Sequence, residues 1–187
     1  MRILAFAEQR EGKFKKSAFE VTQAAKRIAD QLGAELITLV IGDSVNGIAE
    51  ELSFYGATRV VLIQDSRLHY YSTTAYAYCI AEVVRSEQAS ILFLPASQMG
   101  KDVAPRLAGK LNAGTAVDCV HLRVEGGEVI ATRPIYAGKA FIDLKVTSTT
   151  KIFTLRPNVF TASAINGAQV HTETVTVDLN DTVSVCT

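Results

Sequence analysis

The sequence predicts an α/β fold in which helices cover both faces of a doubly wound, mostly parallel sheet. Apolar runs of strand length recur along the first half of the chain without polar alternation, which is typical of strands buried on both faces. Stretches with the apolar period of a helix separate these runs. The last third is richer in strands and turn residues, so we expect an antiparallel part that extends or flanks the sheet.

Four apolar runs predict the parallel strands. They cover residues 2–7, 36–41, 59–63 and 90–95. A helix over residues 17–32 follows the first run. Ser17 and Glu20 have the spacing of a capping box, and Gly33 stands where a left-handed C-cap is favoured.

Three further helices are predicted in the first 111 residues. They cover residues 46–55, 72–87 and 102–111. The first of them ends at Gly56, and the second is apolar on nearly every side, so we expect it to be buried. The third has Asp102 as its N-cap, which puts Pro105 in the first turn, where proline is tolerated.

Two strand pairs and one single strand are predicted after these helices. The pairs join residues 116–125 with 128–134, and residues 139–147 with 151–156. Gly126-Gly127 separates the first pair, and two glycines at such a point favour a hairpin. Ser148-Thr149-Thr150 separates the second pair, and a final edge strand is expected over residues 172–177.

The composition excludes several classes of protein. The formal net charge is zero, there is no tryptophan, and no run of lysine and arginine occurs, so we expect no nucleic-acid partner. No apolar stretch approaches the length of a membrane span, and Met1 leads directly into the first strand without a cleavage-site region. We therefore expect a cytoplasmic protein that does not insert into a membrane.

The residue types that commonly carry catalysis do not form a recognisable set. His69, His121 and His171 share no metal-ligand spacing, so no metal site is predicted. Cys79, Cys119 and Cys186 are odd in number and far apart, which favours reduced thiols over disulfides. No glycine-flanked nucleophilic serine occurs, and we predict no catalytic residue.

The sequence contains one candidate site for a phosphate or another anion. The loop after the first strand contains a single glycine, Gly12, so a dinucleotide fingerprint is absent. The best candidate for binding an anion is Ser97, Gly100 and Lys101, at the start of the predicted fourth helix. The alternative is that Asp102 caps this helix and Lys101 is simply solvated.

A second candidate site lies on the connections between the predicted C-terminal strands. We predict that Arg133, Tyr136, Lys139 and Arg156 meet a partner protein, because arginine and tyrosine are enriched in interfaces. Prolines follow both arginines and stiffen the backbone there. The alternative is that Arg133 and Arg156 pair with nearby carboxylates and hold the strands together.

Five blocks of sequence, in order and with the same spacing, resemble electron transfer flavoprotein alpha subunits. They are residues 7–13, 95–108, 114–119, 133–139 and 154–160. The resemblance implies an adenine-nucleotide-hydrolase-like, Rossmann-like amino-terminal domain over residues 1–160. Residues 161–187 would be a terminal arm or edge strand leading toward an FAD domain that lies outside this sequence.

The resemblance also implies a function. The complete heterodimer in this family carries FAD, accepts electrons from dehydrogenases such as the acyl-CoA dehydrogenases of fatty acid β-oxidation, and pairs this subunit with a beta subunit. No cofactor is predicted for this chain alone, which would serve as a scaffold. Two alternatives stay open: a stand-alone adenine-nucleotide-binding α/β module, and a homo-oligomer that uses the beta-subunit surface on itself.

Overall fold

The computed structural model describes residues 1–167 and 169–179. The strands are, in chain order, β1 (Arg2–Phe6), β2 (Gln9–Arg10), β3 (Lys13–Phe14), β4 (Glu35–Gly42), β5 (Arg59–Gln64), β6 (Ile91–Pro95), β7 (Gly114–Cys119), β8 (His121–Glu125), β9 (Glu128–Ile135), β10 (Ala140–Lys145), β11 (Lys151–Leu155) and β12 (His171–Thr174). Seven of them form a parallel sheet in the order β12-β5-β4-β1-β6-β11-β7. The predicted doubly wound parallel sheet is confirmed.

Helices cover both faces of this sheet. They are α1 (Lys16–Leu32), α2 (Thr73–Ser86) and α3 (Gln98–Leu111). Side chains of α1 pack with Ile3 and Ala5 on one face, whereas α2 and α3 pack with Leu4 and Phe6 on the other. Alternate residues of β1 therefore belong to two different cores, as expected of a strand that is buried on both sides.

Two of the predicted helix starts are wrong. Helix α1 begins at Lys16, and the predicted capping box does not form. The carboxylate of Glu20 instead accepts a hydrogen bond from the backbone N–H of Asn158 at 2.9 Å. Helix α3 begins four residues before the predicted N-cap, because the Ser97 hydroxyl caps it by accepting from the Gly100 N–H at 3.1 Å. Pro105 consequently lies inside the helix rather than in its first turn.

The predicted helix over residues 46–55 is a shorter 3₁₀ segment, Ala49–Tyr55, which ends at Gly56 as expected. The α2 prediction is confirmed: eight of its side chains are buried. They are Ala75, Tyr76, Ala77, Cys79, Ile80, Ala81, Val83 and Val84. Within the described ranges, no helix is both long and apolar enough to cross a membrane.

The C-terminal strands pair differently from the prediction. The hairpin at Gly126-Gly127 is confirmed, but residues 116–125 divide between β7, in the parallel sheet, and β8, in a separate three-stranded sheet ordered β10-β9-β8. The predicted pairing of 139–147 with 151–156 is wrong, since β10 pairs with β9, and β11 inserts between β6 and β7. The stacking of Phe153 on Phe93, with ring centroids 5.4 Å apart, shows why β11 belongs in the core.

The chain beyond β11 returns along the surface of the domain. The N–H of Ile165 donates to the carbonyl of Phe54 at 2.8 Å, and β12 then adds to the edge of the sheet beside β5. The predicted final edge strand is thus present over His171–Thr174. Val177 and Leu179 are buried against the α2 core, so this segment packs on the sheet domain.

A cluster of charged side chains connects β12 to the first residue of β5, Arg59. Both terminal nitrogens of Arg59 bind Glu87, at 2.9 and 2.7 Å, and Arg59 Nη2 also lies 2.6 Å from a carboxylate oxygen of Glu173 on β12. The guanidinium of Arg59 lowers the pKa of Glu87. The cluster therefore contributes stability at neutral pH and loses it as the pH falls below the usual glutamate range.

Candidate functional site

A pocket of about 410 Å³ lies at the carboxyl edge of the sheet, between β1 and β6. We call it the edge pocket. The strand order reverses at this point, where open α/β sheets usually bind ligands. Its walls include Lys15, Tyr70, Tyr71, Met99 and Asp102. It is thus a concave, partly aromatic space at the place where the fold provides for a small molecule.

The carboxylate of Glu8 occupies the position where this pocket would bind an anion. Glu8 has no exposed surface, and Lys15 Nζ lies 2.5 Å from its Oε1 atom. The hydroxyl of Ser97 donates to the Oε2 atom while it caps α3 through the Gly100 N–H. The amino end of α3, which favours negative charge, therefore already holds a carboxylate from the same chain.

The structure thus separates the three residues of the predicted anion site. Ser97 and Gly100 lie together beside Glu8, whereas Lys101 is exposed and its charge acts on Asp118, at the end of β7. A Cβ atom added to Gly100 would lie 1.7 Å from the Pro95 carbonyl oxygen, so the glycine is required for helix packing. The anion site stays an untested prediction, and the geometry weighs against it in the wild-type chain.

Removal of Glu8 should open the amino end of α3 to external anions. We expect Glu8→Ala to bind sulfate or AMP more tightly than wild type, at least tenfold, because Lys15 and the Ser97 hydroxyl at the amino end of α3 lose their internal carboxylate. Calorimetric titration of both proteins with each anion measures this change. The double variant Glu8→Ala/Lys15→Ala is the control. If neither wild type nor Glu8→Ala bound either anion, the amino end of α3 would not be an anion site.

A second group of charges lies around Asp118, near the end of β7. Asp118 is the extra residue of a bulge where β7 meets β11, and it has a positive φ of 60°. Its backbone N–H donates to Thr154 Oγ1 at 2.9 Å, which fixes the bulge. Bulges commonly re-aim a side chain, and here the carboxylate turns toward Arg156. The bulge in the backbone therefore orients the Asp118 carboxylate toward Arg156.

Arg156 binds Asp118 through two hydrogen bonds from one edge of its guanidinium group. The Nε–Oδ1 distance is 2.9 Å and the Nη2–Oδ2 distance is 2.5 Å. The Arg156 charge lowers the pKa of Asp118, and Lys101 and Arg133 lower it further. The pair contributes stability above the usual aspartate range and loses it as the pH falls through the lowered pKa. We call Lys101, Arg133, Arg156 and Asp118 the cationic patch.

Arg133 faces inward from β9 toward the same carboxylate. Strand alternation puts it on the face shared with the buried Ala131, and its charge acts on both Asp118 and Cys119. Its Nε atom is buried and has no hydrogen-bond partner in the described part of the chain. The alternative prediction was that both arginines pair with nearby carboxylates. Arg156 does so, whereas the Nε atom of Arg133 makes no hydrogen bond to a described residue.

Tyr136 stands on a strained turn directly after β9. Tyr136, Ala137 and Gly138 have φ angles of 50°, 55° and 87°, and such a conformation is costly for the two residues with side chains. The Tyr136 side chain is 77% exposed. Lys139 follows it and is also exposed. We call residues 136–139 the Tyr136 turn; most of the Tyr136 surface is exposed.

The structure adds two residues that were not predicted from the sequence. Asp118 lies within residues 114–119, one of the blocks that resemble the family, but its ion pair with Arg156 depends on the bulge. Phe141, which is 62% exposed, is paired across from Pro134 on the strand that follows the Tyr136 turn. An outward apolar residue in the alternating pattern of β10 was the available indication.

The buried thiols are not suited to nucleophilic chemistry. Burial raises the pKa of both Cys79 and Cys119 to about 12, so neither is a thiolate at neutral pH. Cys186 lies outside the described residues. Within the described ranges, no three histidine, cysteine or acidic side chains come close enough to hold a metal ion.

The sequence matches the electron transfer flavoprotein domain over residues 3–180. The chain belongs to this family. It is 35% identical over 96% of its length to protein FixB of Clostridium saccharobutylicum, and 33% identical over 96% to the electron transfer flavoprotein subunit alpha of Bacillus subtilis. The family predicted from the sequence is confirmed.

The chain spans about half the length of these curated relatives, 54% and 55% of each. A shorter match, 37% identical over 66% of this chain and 34% of the relative, is to the acryloyl-CoA reductase electron transfer subunit beta of Anaerotignum propionicum. Two of these three relatives are subunits of electron transfer proteins, and the third is a FixB protein. The chain is therefore similar to a domain of electron carriers of the alpha-subunit type.

The FAD that this family uses does not fit the edge pocket. A pyrophosphate needs backbone amides and cations at a helix start. Here the Gly100 amide donates to the Ser97 hydroxyl, and that hydroxyl and Lys15 bind the buried Glu8 carboxylate. The loop after β1 carries only Gly12, whose φ of 73° serves the turn between β2 and β3. The described residues thus provide no cradle for the cofactor.

Proposed function

We propose that this chain is the non-catalytic scaffold domain of an electron transfer flavoprotein alpha subunit. In the complete heterodimer, FAD would be held outside these 187 residues, and electrons would arrive from dehydrogenases such as acyl-CoA dehydrogenases. Residues 1–160 would form the scaffold, and residues 161–187 would lead toward the flavin domain. We further propose that the complex acts in the cytoplasm.

The observation that supports this proposal is an exposed tyrosine on the turn after β9, the strand that carries Arg133, together with an arginine held in place by an ion pair. Tyr136 is 77% exposed on a strained turn, and Arg156 is fixed by two hydrogen bonds to Asp118. A pre-ordered arginine lowers the entropic cost of binding a protein, and tyrosine is enriched in protein interfaces. We therefore assign Arg133, Tyr136, Lys139 and Arg156 to the surface that meets the beta subunit or the flavin domain.

The spectrum of the purified chain tests the non-catalytic half of this proposal. We expect the 187-residue chain to be colourless when it is produced with excess riboflavin in the medium, because the described residues provide no cradle for FAD. The matched control is a full-length electron transfer flavoprotein prepared in the same way, which should show flavin bands. A stoichiometric flavin spectrum from this chain alone would refute a scaffold without a cofactor.

A stand-alone adenine-nucleotide module is the second candidate, and the edge pocket is the observation that favours it. The pocket is large enough for a small ligand and has tyrosine side chains on its wall. Glu8 opposes this function, since its carboxylate lies where the phosphate would bind. Tight binding of AMP or ATP to the wild-type chain would favour the module over the scaffold.

A further inference from the structure

We propose that the edge pocket binds a small planar organic cation, of the aromatic amidine or aromatic amine type, between the carboxylate of Asp102 and the tyrosine rings of its wall. None of the residues that line this pocket belongs to the surface assigned to the beta subunit or the flavin domain. The inference therefore goes beyond the scaffold function and does not depend on it.

The charged side chains of the edge pocket leave one carboxylate without a cationic partner. Three carboxylates, those of Glu8, Glu11 and Asp102, line it together with the cations Arg10 and Lys15. Lys15 Nζ lies 2.5 Å from Glu8 Oε1, and Arg10 Nε lies 3.5 Å from Glu11 Oε1. Each cation on the wall is thus paired, whereas Asp102 forms no ion pair within residues 1–167 and 169–179.

Neutral donors hold the Asp102 carboxylate in place. Its Oδ2 atom accepts hydrogen bonds from the Thr73 hydroxyl and, at 2.8 Å, from the Tyr71 hydroxyl. These bonds lower the pKa of Asp102, and Arg106, one helical turn further along α3, lowers it further without forming an ion pair. Asp102 is therefore ionised at neutral pH, and its Oδ1 atom makes no hydrogen bond to a described residue.

Aromatic rings line the same space. Tyr70 is 59% exposed, and its ring meets that of His69 edge to face, with centroids 4.6 Å apart. Tyr71 packs in the same manner on the buried Tyr76, with centroids 5.0 Å apart. The face of a tyrosine ring attracts cations, and planar groups stack on it. The wall therefore suits a ligand that has both a planar body and a positive charge.

The buried Glu8 carboxylate makes the pocket unfavourable for anions. Its two oxygens bind Lys15 and the Ser97 hydroxyl, so the charge of Lys15 is neutralised within the chain. With Arg10 paired to Glu11, the charge left on the wall is that of Asp102. A cation is consequently favoured over an anion of the same shape.

Three probes of nearly the same shape test this preference. Benzamidine, benzamide and benzoate share a phenyl ring with a planar head group, and at neutral pH they are positive, neutral and negative. Saturation-transfer NMR on the wild-type chain should show that benzamidine binds about tenfold more tightly than benzoate, with benzamide between them. Equal binding of the three, tighter binding of benzoate, or no binding of benzamidine would overturn the proposal.

Two variants locate the bound cation. Asp102→Asn and Tyr70→Ala should each weaken benzamidine binding about fivefold, because the first removes the ion pair and the second removes an aromatic face. Tyr70 is exposed, so its variant is expected to fold even if Asp102→Asn is destabilised.

Asp30→Asn and Tyr136→Ala are the matched controls. Asp30 is an exposed carboxylate that pairs with Lys26 on α1, and Tyr136 is an exposed tyrosine on the turn after β9. Both control variants should bind benzamidine as wild type does. Unchanged binding by Asp102→Asn or by Tyr70→Ala, or an equal loss in the controls, would overturn the assignment of the cation to the edge pocket.

Discussion

Gly100→Ala should destabilise the domain by about 3 kcal/mol or more, because the new methyl group would lie 1.7 Å from the Pro95 carbonyl oxygen. Backbone cannot move aside as a flexible side chain can, so α3 would have to lift from the end of β6. The Ser97 cap and the Glu8 hydrogen bond would be disturbed with it. Thermal unfolding should show a fall of roughly 6–12 °C for a domain of this size.

Gly109→Ala provides the matched control in the same helix. No atom lies within 4 Å of a Cβ added at Gly109, and alanine favours a helix more than glycine does. We therefore expect an unchanged or slightly higher melting temperature. Equal melting of both variants would show that α3 does not pack against the end of β6 as described.

Tyr136→Ala should weaken binding of the beta subunit by about 2 kcal/mol, or roughly 30-fold, and leave the melting temperature unchanged. The side chain is 77% exposed, so its removal costs the isolated domain little packing. The loss of the exposed aromatic ring would appear only in the complex. Isothermal titration with the beta subunit measures the first effect, and thermal unfolding measures the second.

Tyr70→Ala is the control for this change, since Tyr70 is a 59% exposed tyrosine beside the edge pocket. It should bind the beta subunit as wild type does. Arg133→Ala adds a separate comparison, because its side chain is half-buried and faces Asp118. If Tyr136→Ala and Arg133→Ala both melted much earlier yet bound the partner normally, these residues would be structural and the interface assignment would be wrong.

The parallel core could be predicted from the sequence because its determinants are local. The runs of β1, β4, β5 and β6 are continuously apolar, and that pattern depends only on neighbouring residues. The placement of β11 could not be inferred from adjacency, since the chain crosses from the small sheet back to the core. Only Ile152 and Phe153 are consecutive apolar residues in β11, so little in its sequence indicated a core strand, although four of its five residues are buried in the structure.

The candidate site was only partly predictable, because its geometry depends on contacts between distant residues. The buried position of Glu8 depends on Ser97, which lies 89 residues away along the chain. Ser97 and Asp102 are both residue types that favour an N-cap. Ser97 caps α3 in the structure, whereas Asp102 accepts a hydrogen bond from the Tyr71 hydroxyl at 2.8 Å. Contacts between distant residues therefore determine which of the two caps the helix. The bulge that aims Asp118 at Arg156 likewise follows from the register between β7 and β11.

The most direct test of the scaffold account is calorimetric titration of the wild-type 187-residue chain with the beta subunit, in the absence of flavin. The account predicts a complex of one chain with one beta subunit, formed without FAD because the interface residues are already in place. No heat of binding to the beta subunit, together with stoichiometric binding of AMP or ATP by the chain alone, would contradict it.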